Sequence, residues 1–337
     1  MQFRLALGLL LALLSLFSHA QSAANMVRVG HFPNITHSQA LIGRANGWFA
    51  RYLPDVRIEW RVFNAGPSAI EALFADAVDL IYVGPNPAIN GYSQSRGEAL
   101  RIVAGATSGG AALIVRADSG IQKPDDFHGK RIASPQLGNT QDVALRSWLI
   151  AHKLQIREQG GDVQVLPVAN PDQLTLFQKK ELEGAWAPEP WAARLIHEAN
   201  GRLFLDEREL WPGGQFVTTQ LVASTKFLQA YPDLMEKWIR AHVELTDWIN
   251  GHPQEARQLV NQEIQKETGK ALAQQVLNDA FSRLQVTYDP IRPSLFTSAD
   301  AAARAGLLKK KYPDLSGIYH LAILNKVLVQ KGRKPIQ

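Results

Sequence analysis

The 337-residue chain contains no cysteine. That absence excludes disulfides, thiol nucleophiles, Cys-based zinc sites and the lipid-bearing cysteine of a bacterial lipoprotein signal. Long apolar runs are nearly as scarce. The run at 5–17 is interrupted by Ser15 and ended by Ser18 and His19, short of the ~20 residues a spanning helix needs, and no later run comes closer. No His-Glu-x-x-His, Gly-x-Ser-x-Gly or Gly-Lys-Ser/Thr occurs, which removes the common zinc-protease, serine-hydrolase and phosphate-loop signatures. His31 and His37 lack a carboxylate partner at a recognised metal spacing, so neither metal nor cofactor is expected. A basic face for nucleic acid is also missing. Formal charge is +5, but the cations are dispersed among acids apart from Lys309, Lys310 and Lys311 and a tail with Lys331, Arg333 and Lys334, and such runs are ordinarily solvated helix ends or termini.

What is present begins with a secretory pattern. Arg4 precedes the apolar run, and Ser18-His19-Ala20 supplies small residues for cleavage after Ala20 or Ala24. Arg4 is the only charged residue in 1–24, so removing this signal peptide takes +5 to +4. A soluble periplasmic protein is expected, of about two domains at ~150 residues each.

Strand patterns at 26–30, 56–63, 79–83, 100–106, 113–116, 130–133, 163–168, 203–206 and 217–223 are separated by helical windows such as 37–46, 68–74, 141–152 and 172–180. This alternation predicts an α/β protein with parallel sheets and crossover helices. Further helices are expected around 255–265, 271–284, 298–312 and 317–329, and Leu234, Trp238, Leu245, Trp248 and Ile249 form a helical core stripe. One pattern occurs twice: Leu73-Phe74 leads to Pro85-Asn86-Pro87 and Leu176-Phe177 leads at the same spacing to Pro188-Glu189-Pro190. Proline starts helices but cannot continue a central strand, so each Pro-x-Pro marks a strand's carboxyl edge, where open α/β sheets bind ligands.

The stretch Val29-Gly30-His31-Phe32-Pro33-Asn34-Ile35-Thr36-His37, the run 79–87, Ser108-Gly109-Gly110, 121–133, Leu137-Gly138-Asn139-Thr140-Gln141-Asp142, Pro188-Glu189-Pro190-Trp191 and Phe216-Val217-Thr218-Thr219 follow one another in this order. Together, over residues 26 to about 308, they resemble the nitrate, sulfonate and taurine group of periplasmic solute-binding proteins. The resemblance implies a type II periplasmic-binding fold: two α/β lobes, two crossover segments near 111–116 and 216–223, and a ligand cleft between the lobes. Lobe one is expected at 25–113 and 220–337 with the C-terminal helices, and lobe two at 114–219. The implied role is delivery of a small organic anion, an aliphatic sulfonate first, by a monomer to an ABC permease and ATPase complex. Nitrate, taurine, aromatic sulfonates and sulfate esters suit the same role. A ligand sensor is one alternative. Another is a thiamine-pyrimidine-synthase-like enzyme, whose cysteine-rich motif this chain lacks.

An exchangeable anion is best held by fixed backbone dipoles at helix starts. The candidate ligand residues are therefore Asn34, Thr36 and His37 at the first helix, Gly84 and Asn86 at another, the Ser108-Gly109-Gly110 turn, and Asn139, Thr140 and Gln141 in lobe two. The plain alternative for the polar ones is a helix cap serving its own backbone. His37 is read as a donor, neutral or protonated. The resemblance adds Glu189, Trp191 and Thr218. Trp191 is expected against the ligand's alkyl part or in the core, and Glu189 as an inter-domain hydrogen-bonder unless the ligand carries an amine. Of Thr218 and Thr219, strand alternation lets one point inward.

Overall fold

A computed structural model describes residues 25–308 and 314–337. The signal-peptide reading and the Lys309-Lys310-Lys311 run lie outside the described residues, and the helix expected at 298–312 instead spans Arg292–Arg304, ending ahead of Gly306 with its φ of 74°. Among the described residues no helix is long and apolar enough to cross a membrane.

The strands are β1 (Met26–His31), β2 (Arg57–Val62), β3 (Leu80–Val83), β4 (Leu100–Gly109), β5 (Ala111–Arg116), β6 (Arg131–Ser134), β7 (Gln164–Pro167), β8 (Gly184–Pro188), β9 (Gly201–Asp206), β10 (Val217–Ser224) and β11 (Leu284–Val286). They form a six-stranded sheet in the order β11-β4-β10-β3-β1-β2 and a five-stranded sheet in the order β7-β6-β8-β5-β9. Read from β2 and from β7, the first five positions of the two orders correspond, and β11 alone has no counterpart. The doubled Leu-Phe to Pro-x-Pro pattern falls on equivalent strands, β3 and β8, each beside the parallel centre of its sheet.

The sheets are mixed, not parallel as the alternation suggested. β10 runs antiparallel to β3 and β4, β11 to β4, and β5 to β8 and β9. The reversal has a plain cause. β5 and β10 are entered directly from the opposite sheet, with no crossover helix to restore their direction. β11 replaces the end of a helix expected to run to 284, because Leu284-Gln285-Val286 pairs with the edge of β4 and covers it.

Taking each sheet with its helices as one lobe, the chain leaves the first at Gly109-Gly110 and returns between Asp206 and Val217. Both glycines adopt positive φ, 71° and 79°. A Cβ on Gly109 would meet Arg283 O at 2.6 Å, so this turn requires glycine for conformation and for space.

Helices cover both faces of each sheet. The helix Pro232–Gly251 buries Leu234, Trp238, Leu245 and Ile249 of the anticipated stripe and leaves Trp248 half-buried, with Trp238 stacked on Phe49 at 4.0 Å and Leu245 and Ile249 in the same cluster as Val27, Leu80 and Leu221. His242, on the same helix, is fully buried. Its Nε2 donates to Gly105 O at 2.8 Å and its Nδ1 lies 3.1 Å from the Tyr82 hydroxyl, from which it accepts when the ring is neutral. Burial lowers its pKa to about 4.

Between the ordinary histidine value and about pH 4 the unfolded chain therefore takes up a proton that the folded chain refuses. Stability is lost as pH falls through this window, by up to roughly 3 kcal/mol from this group. A His242→Gln variant keeps one donor and one acceptor but cannot titrate. Its melting temperature should fall less than the wild type's between pH 7 and pH 4.5; parallel curves would refute the assignment.

Candidate functional site

In both lobes, helices begin where parallel strands end. Asn34 and the turn Ile35–His37 follow β1, the helix Gly66–Phe74 follows β2, and Pro85–Gln94 follows β3. In the other lobe Thr140–Ala151 follows β6 and Asn170–Gln178 follows β7. The residues that open Pro85–Gln94 and Thr140–Ala151, Gly84 and Asn139, share one backbone conformation, φ −71° and ψ 164°.

None of the preceding residues, Asn34, Ala65, Gly84, Asn139 or Ala169, caps its own helix with a side chain. Asn139 Oδ1 instead accepts from Gly66 N in the opposite lobe at 3.3 Å, and Asn34 Oδ1 accepts from Trp191 Nε1 at 2.9 Å. Asn34 and Asn139 thus tie the lobes together, Asn139 taking up Gly66 N, while Pro85–Gln94, Thr140–Ala151 and Asn170–Gln178 begin without a side-chain cap from the residue before them.

These starts enclose a small chamber of about 20 Å³. From the expected set, Asn34, Thr36, His37, Gly84, Asn139, Thr140, Gln141 and Thr218 border it. Thr219, expected only as the alternative to Thr218, borders it as well, and so do Phe32, Asn64, Ala65, Asn170 and Pro188, which were not anticipated as ligand residues. Thr218 and Thr219 both reach it because register shifts in the β10–β4 pairing on either side of Thr219 break the alternation. No Asp, Glu, Lys or Arg is among the lining residues. Thr140 Oγ1 and Asn170 Oδ1 are buried without a hydrogen-bond partner in the protein, a condition that costs about 1–3 kcal/mol each unless a partner binds.

His37 is neutral. Burial, reinforced by nearby His31, lowers its pKa well below the usual histidine value. Its Nδ1 faces Phe32 N at 3.4 Å, so Nδ1 is the acceptor and Nε2 carries the proton. The chamber therefore offers neutral donors and dipoles. His31 is turned away, its Nε2 2.6 Å from Glu267. Among the described residues no group of three His, Asp or Glu is placed to hold a metal.

Six expected residues do not border the chamber. Asn86 donates its amide to Ser298 O at 3.1 Å, and Ser108 Oγ accepts from Phe216 N at 3.3 Å. Gly109 N and Gly110 N donate to Phe216 O and Arg283 O at 3.2 and 2.8 Å. Their N–H groups are committed to the lobe-to-lobe turn. Trp191 packs with Leu174, Phe177 and Leu195 in the second lobe's core. Glu189 is fully buried and accepts from Arg283 Nε at 2.6 Å and from Ala193 N at 3.0 Å. Burial raises its pKa while Arg283 opposes the shift, and the pair joins the two lobes.

A family model described as the NMT1-like family matches residues 20–265. The taurine-binding periplasmic protein of Escherichia coli K12 is 25% identical over 210 residues, covering 61% of each chain. A Bacillus subtilis protein provisionally named as binding aliphatic sulfonates is 24% identical over 298 residues, covering 86% of this chain and 85% of its own. Among solved structures, the alkanesulfonate-binding protein of Xanthomonas axonopodis pv. citri bound to MOPS superposes with a TM-score of 0.72 at 19% identity, covering 88% of this chain and 98% of its own. The fold is the periplasmic-binding-protein fold.

The closeness of the lobes gives a direct test. A Cβ built on Gly84 would lie 2.2 Å from Thr140 Oγ1 in the opposite lobe, while its own backbone is allowed for alanine. Gly84→Ala should therefore fold normally but stop short of full closure. Small-angle scattering should give a larger radius of gyration than the wild type under conditions that favour closure. An equally compact variant would show that this contact does not limit the cleft.

Proposed function

Because this chain belongs to the NMT1-like family, we propose that it is a periplasmic solute-binding protein that closes on a small organic anion, an aliphatic sulfonate, and delivers it to an ABC permease and ATPase complex. The carrying observation is the chamber's composition: helix starts from both lobes, a neutral His37 donor, the partnerless Thr140 hydroxyl and no charged side chain in the lining. Oriented N–H groups stabilise an anion without the desolvation cost of a buried counter-charge. A sulfonate's three oxygens can draw donors from several starts at once.

Taurine is a poorer fit than a simple alkanesulfonate. Its ammonium group would need an acceptor of opposite charge, and the nearest candidate from the sequence, Glu189, is bound to Arg283 outside the chamber. We read the protein as a binder without turnover. The names of its relatives support this, as does the absence of cysteine. Export by a cleaved signal, with a mature start at Gln21 or Asn25, completes the proposal and is checked by intact mass of native material.

Thermal denaturation of the mature protein with methanesulfonate, ethanesulfonate, taurine, nitrate and sulfate tests the ligand. At about 100 times its dissociation constant a ligand adds about 2.7 kcal/mol of stability, and ethanesulfonate should give a larger shift than taurine or nitrate. Thr140→Asp separates a ligand contact from a plain helix start. Asp is favourable at a helix N-terminus by ~0.3 to 1 kcal/mol, so apo stability should hold, while a carboxylate in the chamber repels the anion and should weaken calorimetric affinity at least tenfold. Unchanged affinity in a folded variant would remove Thr140 from the site.

A further inference from the structure

Resting on the sulfonate reading above, we propose that the ligand carries an apolar ring-sized tail, and that this tail lies in a second cavity beside Thr140. The chamber that holds the charged head is about 20 Å³, too small to take an alkyl or aryl tail as well. A second cavity of about 210 Å³ adjoins it. Thr140 borders both spaces, and its buried hydroxyl has no partner in the protein. The same helix start and the same returning strand thus wall both chambers, with Val217 on the larger and Thr218 on the smaller.

The larger cavity is built for an apolar group. Trp148 contributes one wall, and Trp211, stacked on Phe216 at 5.1 Å and 11°, contributes another. The space between them exists because the two helices that flank it, one from each lobe, present alanines there, Ala144 and Ala301. A dry apolar cavity of about 150 Å³ suffices for benzene, so 210 Å³ accommodates a six-membered ring. Flat aromatic walls favour a ring over a flexible chain of the same area. Glu207 and Arg304 both border this cavity, so its charged lining is of both signs and the apolar walls carry the selection. The ligand class is therefore an alkanesulfonate ending in a ring.

Calorimetric titration of the mature wild-type protein with ethanesulfonate and with 2-phenylethanesulfonate tests this, since the two differ only by the ring. Burial of a phenyl group should make the second bind about tenfold to a hundredfold more tightly. Ala144→Phe and Ala301→Phe fill the cavity from opposite lobes, and each should bring the ratio of the two affinities close to one. Either folded variant is sufficient for this second reading, and the wild-type ratio needs no variant.

A wild-type ratio of one or below overturns the tail assignment while leaving the sulfonate reading in place. A ring preference that survives in a folded cavity-filled variant overturns it too, by placing the ring elsewhere. Failure of both probes to bind wild type removes the sulfonate reading itself, and the tail assignment with it.

Discussion

A right-handed crossover returns a helix from the carboxyl end of one parallel strand to the start of the next, and every feature of the cleft depends on that constraint. It compels each helix to begin at the same edge of its sheet. With two sheets of matching strand order set edge to edge, the starts at Gly66, Pro85, Thr140 and Asn170 converge from two sides. Each brings the positive end of a helix dipole and N–H groups that the helix itself cannot satisfy. On the proposed reading, the topology makes the anion site before any particular side chain is chosen.

The side chains then decide what closure costs. Asn34 and Asn139 reach across the cleft instead of capping their own helices, so the closed arrangement uses bonds that an open one would have to replace with water. The Glu189–Arg283 pair adds a charged contact between the lobes at 2.6 Å, almost entirely buried. Breaking such a pair without rehydration is costly. It closes the cleft near the Gly109-Gly110 turn, whose lack of Cβ atoms lets β4, β10 and the Arg283 backbone pack against it.

Much of this was legible in the sequence. Helix starts were readable because proline, glycine and Asn-Thr punctuation falls where an apolar strand ends, and Asn34, Gly84, Asn139 and Thr140 were singled out on that ground. Asn170 carries the same signal, after β7 and ahead of Pro171, and is the lobe-two equivalent of the Ala65-Gly66 start; extending the doubled pattern by one strand would have found both. Other features are invisible to local pattern. The bulge that turns both Thr218 and Thr219 to the chamber depends on pairing with a strand more than 100 residues earlier. The partners of Ser108, Gly109 and Asn86 are Phe216 and Ser298, and nothing near those residues in sequence announces them. The aromatic cavity likewise gathers Trp148, Trp211 and Phe216 from segments that become neighbours only when the second sheet returns to the first.

The backbone origin of the donors has an evolutionary consequence. A point substitution replaces a side chain and, proline apart, leaves the peptide N–H where it was. Under the proposed function, recognition of negative charge is therefore inherited with the topology and tolerates extensive sequence drift. The walls around it, such as Ala144, Trp148 and Ala301, are free to change size. A lineage built on this plan can exchange one anionic nutrient for another by altering a few side chains, without rebuilding the charge site each time.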